Sequence, residues 1–348
     1  MTLADLAACL LVLGLSAYLV LGGADFGAGL WDLTAGGPER GARVRGIVKF
    51  GMGPVWEANH VWLIFVLVVC WTAFPTAFGS ITSTLYVPLF AAAIGIIFRG
   101  SAFALRGEAA TIAEARVLGG TFALSSVLVP FFLGAAVGGI ASGRVPVGNA
   151  SGDALTSWWN PTSVTVGLTT VAVGAHLAAV FLAADSIRAR QPDMVQAFRA
   201  RALGSGVVSG LLAIVGLFVV RDDARSLYDG LTSGGGLALV CASAVGGLVT
   251  LGLEWRRRFD WARYTAALSV AAIVAGWAVA QRPYVLPGRL TLHQAAASHA
   301  TLVALLISAA VGMLLLIPSL WYLFRLVLRG KLDTRFGPLT AGDPRAGS

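Results

Sequence analysis

The sequence predicts an all-α polytopic membrane protein with about nine transmembrane helices. Three observations carry that reading. Of 348 residues, 57% are hydrophobic and 12% charged, against about 25% charged in a soluble domain. Mean hydropathy is +0.80. The apolar residues gather in long runs near 4–33, 50–74, 79–105, 116–140, 161–184, 202–220, 235–253, 264–281 and 297–326, most of them close to or above the roughly 20 residues a helix needs to cross a bilayer.

Charge supports the count. Connections at 37–49 (Arg40, Arg43, Arg45, Lys49), 99–116 (Arg99, Arg106, Arg116), 188–201 (Arg188, Arg190, Arg199, Arg201) and 254–263 (Arg256, Arg257, Arg258, Arg263) are basic, as is the tail after Arg325. Connections at 75–79, 141–160, 221–234 and 282–296 are poor in Lys/Arg or balanced by acids. The two kinds alternate, which predicts an odd number of spans, the N-terminus outside and the C-terminus in the cytoplasm. The net charge of +8 therefore belongs to cytoplasmic loops and not to a nucleic-acid surface. Residues 1–330 form one transmembrane domain in this reading. Residues 331–348, polar and rich in Gly and Pro, form a disordered cytoplasmic tail.

Along the chain, the first run carries Asp5 and no Lys or Arg before it, which predicts a retained helix and not a cleaved signal peptide. It closes on Gly22-Gly23-Ala24-Asp25-Phe26-Gly27-Ala28-Gly29. Gly23 and Gly27, with Ala24 and Ala28, form a small-residue face that lets another backbone approach closely, and Asp25 is placed in that face. Trp158-Trp159-Asn160-Pro161 predicts interfacial tryptophans followed by a helix start, with Asn160 as N-cap and Pro161 in the first turn. Pro283-Tyr284 and Pro287 predict a rigid outer loop, and His293 and His299 sit at the interface before the last helix. Cys9, Cys70 and Cys241 each lie in an apolar run and read as buried hydrophobes, without a disulfide framework.

The polar residues inside the second run carry the chemistry. Gly53-Pro54-Val55-Trp56-Glu57-Ala58-Asn59-His60-Val61-Trp62 runs without a break into apolar sequence. An ionised group there costs several kcal/mol or more and faces the bundle interior. On a helix Glu57, His60 and Val61 share one face at i, i+3 and i+4, while Asn59 points to another. Asp25 and Glu57 lie at similar depth, toward the cytoplasmic ends of consecutive helices. One reading is a proton entry path from the cytoplasm. The other is structural, with Asp25 capping a broken helix and Glu57 paired with an arginine. Glu57 and His60 also match the Glu-x-x-His motif of di-iron bundles. That site needs further inward glutamates, whereas Glu39, Glu108, Glu114 and Glu254 fall in predicted loops. His176, in the middle of the fifth run, stands at a depth similar to His60. The pair suggests a bis-histidine haem or, more commonly for histidines in spans, hydrogen-bonded packing.

Several of these stretches together resemble the second subunit of cytochrome bd-type quinol oxidases. Gly23 to Gly29 is similar to that family's first-helix Gly-Phe-Asp-x-Gly-x-Gly signature, with Ala24 where Phe is usual. Trp56 to Leu63 resembles its Trp-Asp-Gly-Asn-x-Val-Trp-Leu signature, with Glu57 for Asp, Ala58 for Gly, and His60 where Glu or Gln is more frequent. Phe98-Arg99-Gly100 through Phe103 and Arg106 is similar to a Phe-Arg-Pro stretch after the third helix. Asn160-Pro161, His176 and Pro283-Tyr284 fall where the family has comparable residues. The chain is thus identified as a divergent member.

The resemblance implies two four-helix bundles plus a peripheral helix. It implies a larger partner subunit that binds haem b, haem d and quinol, and in some complexes a small accessory subunit. The complex reduces oxygen to water in the bacterial cytoplasmic membrane with protons taken from the cytoplasm. It further implies that this chain binds no haem or metal, with Asp25, Glu57 and His60 on the proton path and Trp56, Asn59, Trp62, Arg99 and His176 structural or lining it. The competing readings are a proton-coupled secondary transporter using Asp25 and Glu57 as coupling carboxyls, and an assembly protein without a proton role.

Overall fold

The computed structural model describes the backbone of residues 2–105, 111–149 and 152–328, and their side chains except at 38–40, 50, 52–58, 112, 324 and 327–328. Arg106 and the tail after Lys331 lie outside the described residues.

The described chain is helical almost throughout. The order is α1 (Leu3–Leu33), α2 (Pro38–Ala73), α3 (Pro75–Thr84), α4 (Tyr86–Leu105), α5 (Ile112–Ala141), α6 (Pro161–Arg188), α7 (Pro192–Asp223), α8 (Arg225–Leu231), α9 (Gly234–Trp255), α10 (Phe259–Gln281), a hairpin of β1 (Tyr284–Leu286) and β2 (Leu290–Thr291), α11 (Leu292–Ala295) and α12 (His299–Leu328). Eight helices are long and apolar enough to cross a membrane, and a ninth span counts if the bent pair α2 and α3 is taken as one. That matches the number reached from charge alternation.

The helix ends follow local chemistry. Thr2 caps α1 by accepting from the Asp5 amide at 3.2 Å while the Asp5 carboxylate accepts from the Thr2 amide at 2.9 Å. The Asn160 side chain accepts from the Ser163 amide at 2.9 Å, with Pro161 in the first turn of α6. In the connection before it, Asp153 accepts from the amides of Thr156 and Leu155 and the Thr156 hydroxyl, which hold its carboxyl below the usual range. The bend between α2 and α3 is 120° and sits at Phe74. Pro75 supplies no amide hydrogen and disfavours the α conformation of the residue before it, so α2 must end there.

Several boundaries differ from the sequence expectation. The expected helix at 79–105 is two helices, α3 and α4. The basic segments at 37–49 and 188–201, expected as loops, are largely helical as the first turns of α2 and α7. Thirty-six residues make α2 about 54 Å long, well beyond the ~30 Å apolar thickness, so hydropathy stops before the helix does. The 221–234 and 282–296 connections are not plain loops either, and hold α8, the hairpin and α11.

The long helices form two groups of four. Helices α1, α2, α4 and α5 pack together, as do α6, α7, α9 and α10, and α12 lies against α2 and α1. The groups meet where α6 packs on α1 and α5. At one end the α1 N-terminus, Phe74, Leu85, Trp158 and the hairpin's Leu286 and Leu290 share an apolar cluster. Trp158 is therefore core and only Trp159 remains exposed. The other end gathers the arginines, with Arg45 on Asp32 at 2.8 Å, Arg43 on Asp193 at 3.0 Å and Arg188 on Asp185.

The α1–α6 contact depends on Gly27. A Cβ there would overlap the Gly174 carbonyl, and one at Gly23 would stand 3.2 Å from Leu177. Replacing Gly27 by Ala is expected to destabilise the chain by roughly 1–3 kcal/mol, the usual cost of overpacking. Gly210→Ala, where no atom lies within 4 Å of the new methyl, should be neutral or slightly stabilising. Thermal unfolding of the two purified variants in detergent checks this, and equal midpoints would refute it.

Candidate functional site

An ion pair sits at the centre of the first four-helix group. On α1, Asp25 is 1% exposed, and on α4, Arg99 is 2% exposed. The Arg99 Nη1 donates to Asp25 Oδ2 at 2.8 Å and Nη2 to Oδ1 at 2.7 Å, a bidentate fork. The same Nη2 reaches the Asp25 carbonyl at 3.2 Å. On α5, Ser126 Oγ accepts from Arg99 Nε at 2.9 Å and donates to the Phe122 carbonyl at 2.7 Å. From α2, Asn59 Nδ2 donates to Asp25 Oδ2 at 2.7 Å. All four helices of the group contribute.

The surroundings explain how two charges are buried together. The guanidinium lies between the rings of Phe26 and Phe122, 4.8 and 4.6 Å from their centroids, where aromatic faces attract a cation. Gly29 leaves the room that Ser126 occupies, since a Cβ there would overlap it. Each ion taken from water costs several kcal/mol, which only close geometry and filled hydrogen bonds offset. The bidentate fork gives each of the two buried groups the partner its burial requires.

The geometry revises the sequence expectations for Asp25. Helix α1 is continuous through it, so it caps no broken helix. It does not share the Gly23 and Gly27 face, because two residues on a helix subtend about 200°. The glycines meet α6, whereas Asp25 looks to α2 and α4. Three further buried polar atoms lack a partner among the described residues: the Tyr18 hydroxyl, Asn59 Oδ1 and Trp62 Nε1. Tyr18 lies within reach of the charges on Asp25 and Arg99. Trp62 is 8% exposed and packs edge-on to Phe65 at 5.9 Å. His60 is half-buried one residue beyond Asn59. The side chains of Trp56 and Glu57 lie outside the described residues, on a stretch that is helical.

The second group holds a buried acid that sequence reading placed in a loop. Glu254 lies in the last turn of α9 and is fully buried. Hydropathy ends at Leu253, but the helix continues through Trp255. Its carboxyl stands 3.5 Å from His176 Nε2 on α6, close enough for a charge pair and too long for a well-formed hydrogen bond. His176 Nδ1 lies 3.1 Å from the Ala202 carbonyl on α7. Both ring nitrogens are thus directed at protein groups, and neither is offered to a haem shared with His60. Glu254 is the inward glutamate that a di-iron site would want, yet it faces His176 and not the Glu-x-x-His helix. No cluster of three or more metal-ligating side chains occurs among the described residues.

A third acid, Asp185 on α6, is buried beside Arg188 and lies where a Cβ at Gly51 of α2 would overlap it. No sequence motif marks it.

Comparison with known proteins places these features in a family context. Residues 3–327 match the family model described as cytochrome bd terminal oxidase subunit II. The chain is 31% identical over 117 residues to cytochrome bd ubiquinol oxidase subunit 2 of Bacillus subtilis, and that match spans 34% of the relative's length. It is 22% identical over 323 residues, 90% of this chain and 92% of the other, to a putative cytochrome bd menaquinol oxidase subunit II of the same organism. Among solved structures, a chain of the bd oxidase from Geobacillus thermodenitrificans matches with a TM-score of 0.76 and 27% identity, covering 96% of this chain and all of that one.

The Asp25–Arg99 pair predicts strong coupling. Arg99→Met or Asp25→Leu alone should destabilise the chain by about 3–5 kcal/mol, because each strands a buried charge. The double variant should recover a large part of the loss. A double-mutant cycle on thermal or denaturant unfolding measures it, and additive losses would show that the two side chains do not act as a pair.

Proposed function

Because the chain belongs to the cytochrome bd terminal oxidase subunit II family, we propose that it is the non-haem subunit of a bd-type quinol:oxygen oxidoreductase, scaffolding its haem subunit and contributing to proton uptake from the cytoplasm. The match over residues 3–327 carries this reading. Haem b, haem d and the quinol site belong to the partner in this proposal, and this chain alone is not catalytic. The complex resides in the bacterial cytoplasmic membrane. The arginine-rich end faces the cytoplasm by the positive-inside rule, which puts the N-terminus outside and the C-terminus inside. Apolar side chains exposed along α2 and α4, such as Trp71, Phe90 and Ile97, are of the kind that lipid or a partner's helices cover.

We assign the proton-path residues different parts. Asp25 supplies a fixed negative charge, anchored by Arg99 and Asn59. Glu57 and His60, on one face of α2, carry the exchange. Trp56, Asn59 and Trp62 line the route, and Arg99 keeps the anchor in place. Asn59 Oδ1 and Trp62 Nε1, which have no partner among the described residues, are an acceptor and a donor beside that face. The transporter alternative needs Asp25 to gain and lose protons freely, which its bidentate partner opposes.

The decisive experiment is Glu57→Gln. Oxygen uptake by membranes supplied with quinol should fall at least about tenfold, since a positioned proton-transfer group contributes about 10²–10⁴-fold, while the variant still co-purifies with a haem-bearing partner. Unchanged uptake would remove the proton-path role. Failure to co-purify a partner with b- and d-type haem spectra would remove the oxidase role.

A further inference from the structure

We propose that Glu254 and His176 form a buried proton-binding site, separate from the Asp25–Arg99 centre, in which one proton is shared between the carboxyl and the imidazole Nε2.

The argument starts from the tautomer of His176. The Ala202 carbonyl can only accept, so the Nδ1 that faces it at 3.1 Å carries a hydrogen. In the neutral ring Nε2 is then a bare acceptor, and Glu254 Oε1 lies 3.5 Å from it across the helix interface. Gly206 on α7 makes this ring position possible, because a Cβ there would stand 2.9 Å from the imidazole Cε1.

Next comes the carboxyl. Glu254 is fully buried, and neither carboxylate oxygen has a hydrogen-bond partner among the described residues. The neighbouring cations make their printed contacts with other groups, and Arg263 Nε is itself buried without a hydrogen-bond partner among the described residues. On α7, Arg199 directs Nε to the Glu254 backbone carbonyl at 3.1 Å and Nη2 to the Trp255 carbonyl at 3.0 Å, with its guanidinium over the Trp255 ring. Arg201 lies over the rings of Trp31 and Phe198. On α9 and α10, the Thr250 hydroxyl is bonded to Thr265. Arg263 of α10 reaches Tyr264 and acts on Asp185. An ionised Glu254 beside a neutral His176 would be a buried charge with no hydrogen-bond partner among the described residues, which is strongly unfavourable. A protonated Glu254 has one hydrogen to give, and His176 Nε2, 3.5 Å away, takes it when the two side chains close by a few tenths of an ångström.

The step balances simply. Moving the proton from the Glu254 oxygen to Nε2 turns a neutral pair into a carboxylate–imidazolium pair with no change in net charge. Glu254 immediately precedes the exposed Trp255 and the exposed Arg256 to Arg258 at the basic end.

Infrared spectroscopy of the full chain, purified with its partner, tests the proposal. Wild type minus Glu254→Gln is expected to show one protonated-carboxyl carbonyl band per chain, shifted by exchange into heavy water. His176→Gln should move that band by changing its hydrogen bond. If Glu254→Gln does not assemble, wild type minus His176→Gln carries the test and should give a paired gain and loss in the same region. Absence of any carboxylic-acid band in the assembled Glu254→Gln difference, or in the His176→Gln difference, would mean that Glu254 is ionised and would overturn the site. A band that ignores His176 would overturn the sharing.

Discussion

The burial of Asp25 with Arg99 constrains the rest of the first helix group. A guanidinium with 2% exposure and a carboxylate with 1% are tolerated only where their hydrogen-bonding capacity is filled. Filling it requires Asn59 from α2 and Ser126 from α5 to arrive at set distances. It also requires Gly29 to leave room for Ser126, and Phe26 and Phe122 to close over the cation. In a membrane, apolar packing between helices is weakly directional because lipid is as apolar as leucine. A polar centre of this kind sets helix order and rotation where hydrophobic surface cannot.

The second group is built on the opposite device. Glu254 and His176 can both be neutral, and no guanidinium is spent on the acid. The first centre is an acid joined to a guanidinium by a bidentate fork. The second is a pair between which a proton can move without changing net charge. The two lie on either side of the α1–α6 contact, where Gly27 meets Gly174 and the groups are joined. The fold keeps the two kinds in separate groups.

Much of the site was legible in the primary structure. Asp25 and Asn59 stand out as polar residues in apolar runs, and the expense of such placement marks them as interior, whereas Arg99 read as part of a basic connection and entered the site only through the family resemblance. Their partnership was not legible. Asp25 and Arg99 are 74 residues apart, and nothing local says that the arginine after one run turns back into the bundle to meet the acid of another. Glu254 was misplaced for a related reason. Hydropathy reports where apolar residues end, and the Arg256–Arg258 run makes the end seem earlier than the last helical turn. Asp185 gave no signal, since an acid three residues before Arg188 reads as an ordinary exposed pair on a helix end.

The sequence by itself determined the membrane class, the span count and the end on which the arginines gather. Each follows from one-dimensional quantities: the length of an apolar run against the bilayer, and the sign of the charge between runs. Only the tertiary structure decided which buried acid meets a guanidinium and which an imidazole. That choice depends on helix rotation and on which glycine faces let backbones close to contact, and both are settled by the packing of helices distant in the chain.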